Sequence, residues 1–312
     1  MNLTLPLQLM LTRGIGDAFI HRFSDYVLRH GVDEVERILQ STDDLCSVFS
    51  LKAEIANALV HSSNEANMLA VQLKKSGIEW VSLLDQAYPA RLRSILGKTA
   101  PPILFFRGNI NLCQEHSVGF CGARAASEKG LSVTEKCCRQ LVERNIVVVS
   151  GYANGVDIVS HRTALQEGGK TVMVLAEGIC HFHEKPEIQG LFRPNNHLIL
   201  SPFPPNLPWM GRNAMRRNAI IIALSDAMIL VESGLTGGTY AAGEECLRRQ
   251  IPLFVIDFAS PPGPSAEANP KFIQRGGIPI RGTQMGIPKL ERLFQAVDES
   301  PISTGYSMLV LD

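Results

Sequence analysis

The first 75 or so residues alternate apolar and polar positions at helical spacing. The pattern is clear in DAFIHRFSDYVLRHG at residues 17–31 and in AEIANALVHSSNEANMLAVQLKKSG at residues 53–77. Apolar residues three and four positions apart lie on one face of a helix, and Gly31 and Gly77 are typical of helix ends. The pattern therefore predicts a small all-α domain over residues 1–80.

Further along the chain, short apolar runs rich in β-branched residues alternate with helical segments at residues 127–145, 154–169, 216–225 and 238–250. Runs that are apolar throughout suit strands covered on both faces of a parallel sheet, and their alternation with helices is typical of crossover units. This predicts an α/β fold, an extended Rossmann-like parallel sheet flanked by helices over residues 81–285, followed by a C-terminal tail at 286–312. The predicted strands are IEWVSLL (78–84), SVGFC (117–121), IVVVS (146–150), TVMVLA (171–176), HLILS (197–201), DAMILV (226–231) and PLFVID (252–257).

Composition adds limits on location and partners. The chain has 312 residues, 45% hydrophobic and 19% charged, which is typical of a globular protein. It has neither an apolar run of membrane-spanning length nor a signal peptide, so we expect a cytoplasmic protein without a membrane partner. The seven cysteines form no CxxC pair and are expected to be reduced. A formal net charge of zero argues against broad electrostatic attraction to nucleic acid, so any phosphate binding must be local.

Glycine-rich turns follow three of the predicted strands, in CGAR (121–124), SGYANG (150–155) and ESGLTGGT (232–239). Ligands of open parallel sheets bind beyond the carboxyl ends of the strands, and glycine there lets backbone N–H groups at a helix N-terminus approach an anion. Hydroxyl groups in these segments add donors. The sequence therefore predicts a phosphate site formed by the glycines and hydroxyl residues Gly122, Ser127, Ser150, Gly151, Gly155, Thr236, Gly237, Gly238 and Thr239.

The turns match neither the GxGxxG fingerprint of dinucleotide-binding domains nor the GxxxxGK[ST] phosphate loop, so no cofactor is expected. They do carry a family resemblance. Three segments carry it, namely GAR (122–124) with Ser127, VSGYANGVDIVSHRTAL (149–165) and RRNAIIIALSDAMILVES (216–233). In this order they resemble the DprA (Smf) family motifs GSRxxSxYG, IVSGxAxGIDxxAH and RNRIIAGLSxxxxVVEA. The resemblance continues in the same order in AYPARLRSI and PPILFFRGN, which precede these motifs, and in KTVMVLAEGI, which lies between the second and the third.

The resemblance implies a non-enzymatic protein that binds single-stranded DNA, forms a homodimer and passes DNA to a RecA-type recombinase during DNA uptake, natural transformation or recombination. It places Arg124 at the DNA pocket and adds Arg217 and Asn218, which match the family's Arg-Asn pair. An arginine grips phosphate through a fork of donors while its plane stacks on a base. Ala123 and Ala219 replace a serine and an arginine of the family motifs, which predicts a less basic and less polar pocket.

Two alternatives use the same loops. Gly237-Gly238-Thr239 followed by Glu244 is similar to the GGxGTxxE loop of LOG-type nucleoside-monophosphate phosphoribohydrolases, in which a glutamate assists cleavage of an N-glycosidic bond. The second alternative is a sensor of a nucleotide-derived ligand that it does not turn over. A closed pocket for one nucleotide would favour these alternatives, whereas an open groove favours DNA.

Three further features have simpler structural explanations. Asp157 and His161 lie four residues apart on a helix and are expected to hydrogen-bond and pack beneath the adjacent turn. His181, His183 and Glu184 have ligand chemistry but no second cluster at zinc-site spacing, so no metal site is predicted. TRGIGD at residues 12–17 resembles the hairpin of helix-hairpin-helix units, although an ordinary interhelical turn is the favoured explanation.

Overall fold

The computed structural model describes residues 4–260 and 263–300. Its N-terminal part is helical, as the sequence predicts, with a core of apolar side chains that includes the packed rings of Phe19, Phe23 and Phe49. Gly31, at φ 84°, separates the second helix from the third, and the Ser41 hydroxyl caps the fourth by accepting the Asp44 N–H at 3.1 Å. The helices are α1 (Leu5–Leu11), α2 (Asp17–His30), α3 (Val32–Ile38), α4 (Thr42–Phe49), α5 (Ala53–His61) and α6 (Ser63–Lys75).

The remaining described residues alternate strands and helices. The strands are β1 (Glu79–Ser82), β2 (Ile103–Gly108), β3 (Ser117–Cys121), β4 (Val147–Ser150), β5 (Thr171–Val174), β6 (His197–Ser201), β7 (Ala227–Leu230), β8 (Leu253–Ile256) and β9 (Ile278–Ile280). The helices are α7 (Ala90–Leu96), α8 (Glu128–Glu143), α9 (Val156–Gln166), α10 (Gly211–Leu224), α11 (Gly238–Arg249), α12 (Asn269–Gln274) and α13 (Glu291–Asp298).

All these strands form one sheet in the order β1-β2-β6-β5-β4-β3-β7-β8-β9. The seven strands from β6 to β9 in this order are parallel, which confirms the extended Rossmann-like fold. β2 pairs antiparallel with both β1 and β6, so the sheet is mixed rather than purely parallel. The predicted strands are present, and β2 and β9 are additional.

Helices cover both faces of the sheet because successive strand residues point to opposite sides. Val147 and Val149 of β4 belong to the core under α7, α10, α11 and α12, whereas Val148 belongs to the core under α8 and α13. Each fully buried side chain of this kind contributes roughly 1.5–3 kcal/mol. The sheet is thus the rigid layer on which the loops at its edge are held.

The N-terminal helices share a core with the sheet. Leu7 of α1 and Leu73 of α6 pack with Phe105 of β2 and Ile199 of β6, and the His21 Nε2 atom lies 2.8 Å from the Ala100 carbonyl oxygen. The domain boundaries at residues 80 and 285 stay predictions. Residues 291–298 of the predicted tail form α13, which packs against the sheet, and residues 301–312 lie outside the described residues.

A buried ion pair joins α7 to the middle of the sheet. Arg91 of α7 pairs through Nη1 with Asp226, which immediately precedes β7, and its Nη2 donates to the Ser225 carbonyl oxygen at 2.7 Å. Asp226 also accepts the Ser117 N–H at 2.8 Å, at the start of β3.

Among the described helices, none is long and apolar enough to cross a membrane.

Candidate functional site

The chain order of the sheet reverses at β3. β4, β5 and β6 follow β3 on one side, and the chain then crosses back to place β7 on the other side. Ligands of open α/β sheets bind at such a switch point, where the loops diverge. A cleft of about 300 Å³ lies there. Seven predicted site residues line it, namely Gly122, Arg124, Arg217, Asn218, Thr236, Gly238 and Thr239.

A second cleft of about 340 Å³ adjoins the first and shares Arg124, Ala153 and Arg217 with it. Tyr152, Lys185 and Trp209 are among its other lining residues. Together the two clefts form a groove, here called the switch-point groove, that crosses the carboxyl ends of β7, β3, β4 and β5. A continuous groove suits a chain-like ligand better than a single enclosed nucleotide.

The turn after β3 is closed by an internal carboxylate. The Ser127 hydroxyl caps α8 by accepting the Gly130 N–H at 3.0 Å and donates its own hydrogen to Glu232. Glu232 is fully buried and also accepts the Ser127 N–H at 3.1 Å. A helix N-terminus favours an anion, and at α8 the protein supplies that anion itself. The predicted hydroxyl donor Ser127 is therefore engaged within the protein.

The turn after β4 is also filled. Ser150 is buried and donates its hydroxyl hydrogen to the Phe120 carbonyl oxygen at 2.9 Å. The Asp157 carboxylate accepts the Ala153 N–H at 3.2 Å, in the first turn of α9. Gly155 has φ 77° and lies close to the backbone carbonyl groups of Ala123 and Arg124 in the turn after β3. A side chain at position 155 would overlap them. Ser150 and Gly155 thus hold two turns together and do not face the groove.

The turn after β7 is the open one. Gly237, at φ 96°, precedes α11, and within the described residues no side chain caps this N-terminus and no acidic residue lies in its first turn. The Thr239 hydroxyl donates to the Gly122 carbonyl oxygen at 3.0 Å, and Asn218 Nδ2 donates to the Gly238 carbonyl oxygen at 3.2 Å. These bonds hold the first turn of α11 against the groove with its amides available to an anion.

Arg217 of α10 forms the floor between the two clefts. Its side chain is 8% exposed, and Nη1 donates to the Val174 carbonyl oxygen at 3.1 Å and lies 3.8 Å from Asp157 Oδ2. Burial lowers the pKa of this guanidinium, and Nε has no hydrogen-bond partner in the described part of the chain. A Cβ atom at Gly151 would overlap Nη1, so a side chain there would displace the guanidinium.

The lining of the second cleft carries two further cations, the exposed Arg124 and the half-buried Lys185. The Arg124 guanidinium carbon lies 5.9 Å from the centre of the Trp209 ring. Lys185 Nζ donates to the Tyr152 carbonyl oxygen at 2.9 Å and to Asn154 Oδ1 at 2.8 Å, and burial lowers its pKa. The sequence analysis did not single out Lys185 or Trp209, although a tryptophan just before an arginine-rich helix was an available signal.

His161 lies fully buried beneath the turn after β4. Its Nε2 donates to the Gly151 carbonyl oxygen at 2.6 Å, and Nδ1 lies 2.6 Å from Thr171 Oγ1. Burial lowers the pKa of the imidazole to about 4, so the ring is neutral at physiological pH. This confirms the expected structural role of His161.

The remaining sequence candidates lie away from the groove. Glu244 is paired with both terminal nitrogens of Arg275 and lines neither cleft. Asp17, at the predicted hairpin, pairs with Arg216 of α10 at 2.9 Å. Across residues 4–260 and 263–300, no group of three or more His, Cys, Asp or Glu side chains is placed to hold a metal ion.

Comparisons with known proteins agree on one family. The model of the family "DNA recombination-mediator protein A" matches residues 79–284. The DNA processing protein DprA of Streptococcus pneumoniae is 34% identical over 177 residues, which are 56% of this chain and 61% of that protein. Protein Smf of Escherichia coli is 27% identical over 226 residues, which are 72% of this chain and 59% of that protein. The matched region thus spans about three fifths of these two relatives.

Two solved structures are similar in fold, one to most of this chain and the other to two thirds of it. The X-ray structure of DprA from Streptococcus pneumoniae has a TM-score of 0.73 at 26% identity, covering 90% of this chain and 95% of that one. The DNA processing protein A of Helicobacter pylori, whose structure concerns its single-stranded DNA binding mode, has a TM-score of 0.55 at 24% identity. That match covers 67% of this chain and 93% of that one and supports the fold.

Proposed function

Because this chain belongs to the DNA recombination-mediator protein A family, also called DprA or Smf, we propose that it binds single-stranded DNA in the switch-point groove. It acts as a non-enzymatic protein of DNA processing, uptake or recombination. The observation that carries the proposal is the convergence of Arg124, Arg217 and the open N-terminus of α11 on one continuous groove.

The phosphate contacts divide between amides and guanidinium groups. The backbone N–H groups of the first turn of α11 provide an anion site strengthened by the helix dipole. Arg124 is exposed and offers a bidentate fork at the groove wall, whereas the buried Arg217 contributes charge from the floor. Gly122, Thr236, Gly237, Gly238 and Thr239 shape this contact, while Ser127, Ser150, Gly151 and Gly155 support it from behind.

The charge of the groove is local, in keeping with a chain whose net charge is zero. Its lining includes the cations Arg124, Lys185 and Arg217, and also the carboxylates Asp157, Glu177 and the buried Glu232. If the three cations neutralise three phosphates of a single strand, the plot of log K against the logarithm of the salt concentration has a slope of about −2. We therefore expect moderate affinity with a shallow but measurable salt dependence.

Filter binding of a single-stranded oligonucleotide across a salt series tests the proposal. The wild-type protein should bind with a slope of about −2, and Arg124→Glu should weaken binding strongly. Arg292→Glu is the matched control, because it makes the same change of net charge at an exposed position of α13, outside the groove lining. An affinity weaker than about 0.1 mM, a flat salt response, or equal losses in both variants would contradict the proposal.

The phosphoribohydrolase alternative needs Glu244 in the groove, and Glu244 lines neither cleft. Glu244 faces Arg275 outside the groove, and the arginine lowers the pKa of that carboxyl through hydrogen bonding and charge. Incubation with nucleoside monophosphates should therefore release no free base, and release that Glu244→Gln abolishes would displace the DNA-binding proposal.

Two further parts of the proposal follow from the family resemblance. The protein forms a homodimer and delivers its DNA strand to a RecA-type recombinase in the cytoplasm. Light scattering should give twice the chain mass of 34.2 kDa. Loading of a recombinase onto strands coated with single-strand-binding protein should be faster in its presence, and a monomer or an unchanged loading rate would refute the corresponding part.

A further inference from the structure

Trp209 is an unusual side chain for its position. It lies in the segment just before α10, lines the second cleft of the groove, and is 52% exposed. Tryptophan is highly buried on average, and its large ring stacks well on flat ligands. The Arg124 guanidinium is already placed over this ring, 5.9 Å from its centre.

We propose that Trp209 and Arg124 form a nucleobase subsite, in which the exposed indole surface stacks on one unpaired base of the bound strand. The subsite rests on the proposed single-stranded DNA binding and deepens it. The cation–π contact with Trp209 orients the Arg124 fork toward the adjoining phosphate, so one pair of side chains contacts both a base and the backbone.

The surroundings of the subsite suit a base that lies next to a backbone phosphate. The same cleft is lined by Tyr152, whose ring centre lies 4.8 Å from Lys185 Nζ, and by the carboxylate Glu177. The cations Arg124, Lys185 and Arg217 of this lining attract the backbone, while the aromatic rings accept a base, whose amino groups donate to carboxylate oxygens. A base inside a duplex is stacked on both faces, so this contact selects single strands.

The chain allows a direct optical test because it contains only two tryptophans, Trp80 and Trp209. Trp80 lies in β1 and lines neither cleft of the groove. Stacking of a base on Trp209 should quench the tryptophan emission of the wild-type protein when an oligonucleotide is added. In the Trp209→Phe variant the quench should disappear while binding persists, since phenylalanine still stacks.

Anisotropy titrations complete the test with two labelled oligonucleotides of equal length, one of normal thymidine and one abasic. With the normal strand, Trp209→Ala should weaken binding about tenfold and Trp209→Phe by less than about threefold. With the abasic strand, wild type and Trp209→Ala should bind equally. Circular dichroism of each variant should match wild type, because the substituted ring is half exposed.

Two results separate the possible failures. If wild type binds the normal and the abasic strand equally well, or if Trp209→Ala binds the normal strand like wild type, the subsite is overturned while DNA binding stands. If wild type binds neither strand, the proposed function fails, and the subsite fails with it.

Discussion

Protonation of His161 should destabilise the protein in mildly acidic solution. The imidazole is completely buried, with a pKa lowered to about 4, whereas in the unfolded chain the value is 6.5. The two values differ by about 2.5, and at about 1.4 kcal/mol per unit the difference corresponds to about 3 kcal/mol. The cause is desolvation, since the charged ring would lose water that the surrounding protein does not replace.

The sign follows from proton binding. Between pH 6.5 and 4 the unfolded chain binds a proton at His161 that the folded protein does not, so the free energy of unfolding falls as the pH falls. Above pH 6.5 this contribution is fully present. Urea denaturation at intervals from pH 7.5 to 4.5 measures it as the difference between wild type and His161→Gln, which hydrogen-bonds similarly but does not titrate.

The comparison isolates one group because all carboxylates titrate alike in both proteins. Over this pH interval the free energy of unfolding should fall further in the wild type than in His161→Gln, and the difference should be most of the about 3 kcal/mol that His161 contributes. His183 is exposed, so His183→Gln should keep the wild-type profile. Parallel curves for wild type and His161→Gln would refute the reasoning.

Two other substitutions test contacts that position the groove. In Gly151→Ala the new Cβ atom overlaps Arg217 Nη1, and we expect the free energy of unfolding to fall by about 1–3 kcal/mol. This loss should be smaller when the substitution is made in an Arg217→Ala background. Additive losses in the double-mutant cycle would contradict the contact. Asp226→Asn leaves the Arg91 charge buried without its partner and should lower the free energy of unfolding, measured by urea denaturation, by about 3–5 kcal/mol. Glu167→Gln breaks an exposed ion pair and should lower it by less than about 1 kcal/mol. Equal losses would refute the role of burial.

The sequence predicts the parallel part of the sheet well because its strands are short, apolar throughout and separated by helical segments. It does not predict how β2 pairs. Residues 103–106 are as apolar as the other strands, but nothing local distinguishes an antiparallel neighbour from a parallel one. Helix α10 begins at Gly211, five residues before the predicted start, because it is placed by packing rather than by a capping residue.

The candidate site shows the same limit. Three glycine turns can be read from the chain, but which helix N-terminus stays open depends on side chains that arrive from elsewhere. Glu232 reaches α8 from the end of β7, more than a hundred residues away in sequence, and Asp157 fills the turn before its own helix. Trp209 and Lys185 lie in segments without periodicity, so only the folded groove relates them to Arg124.

The reversal of chain order at β3 has a consequence for the order of events during synthesis. β3 meets β4 soon after both are made. Its other neighbour, β7, is translated about 100 residues later, which takes about 5–20 s at a synthesis rate of about 5–20 residues per second. The groove lies at this late junction, and its open helix N-terminus is made later still. A nascent or truncated chain that ends before β7 therefore lacks the groove, and only a nearly complete molecule gains the capacity to hold a strand.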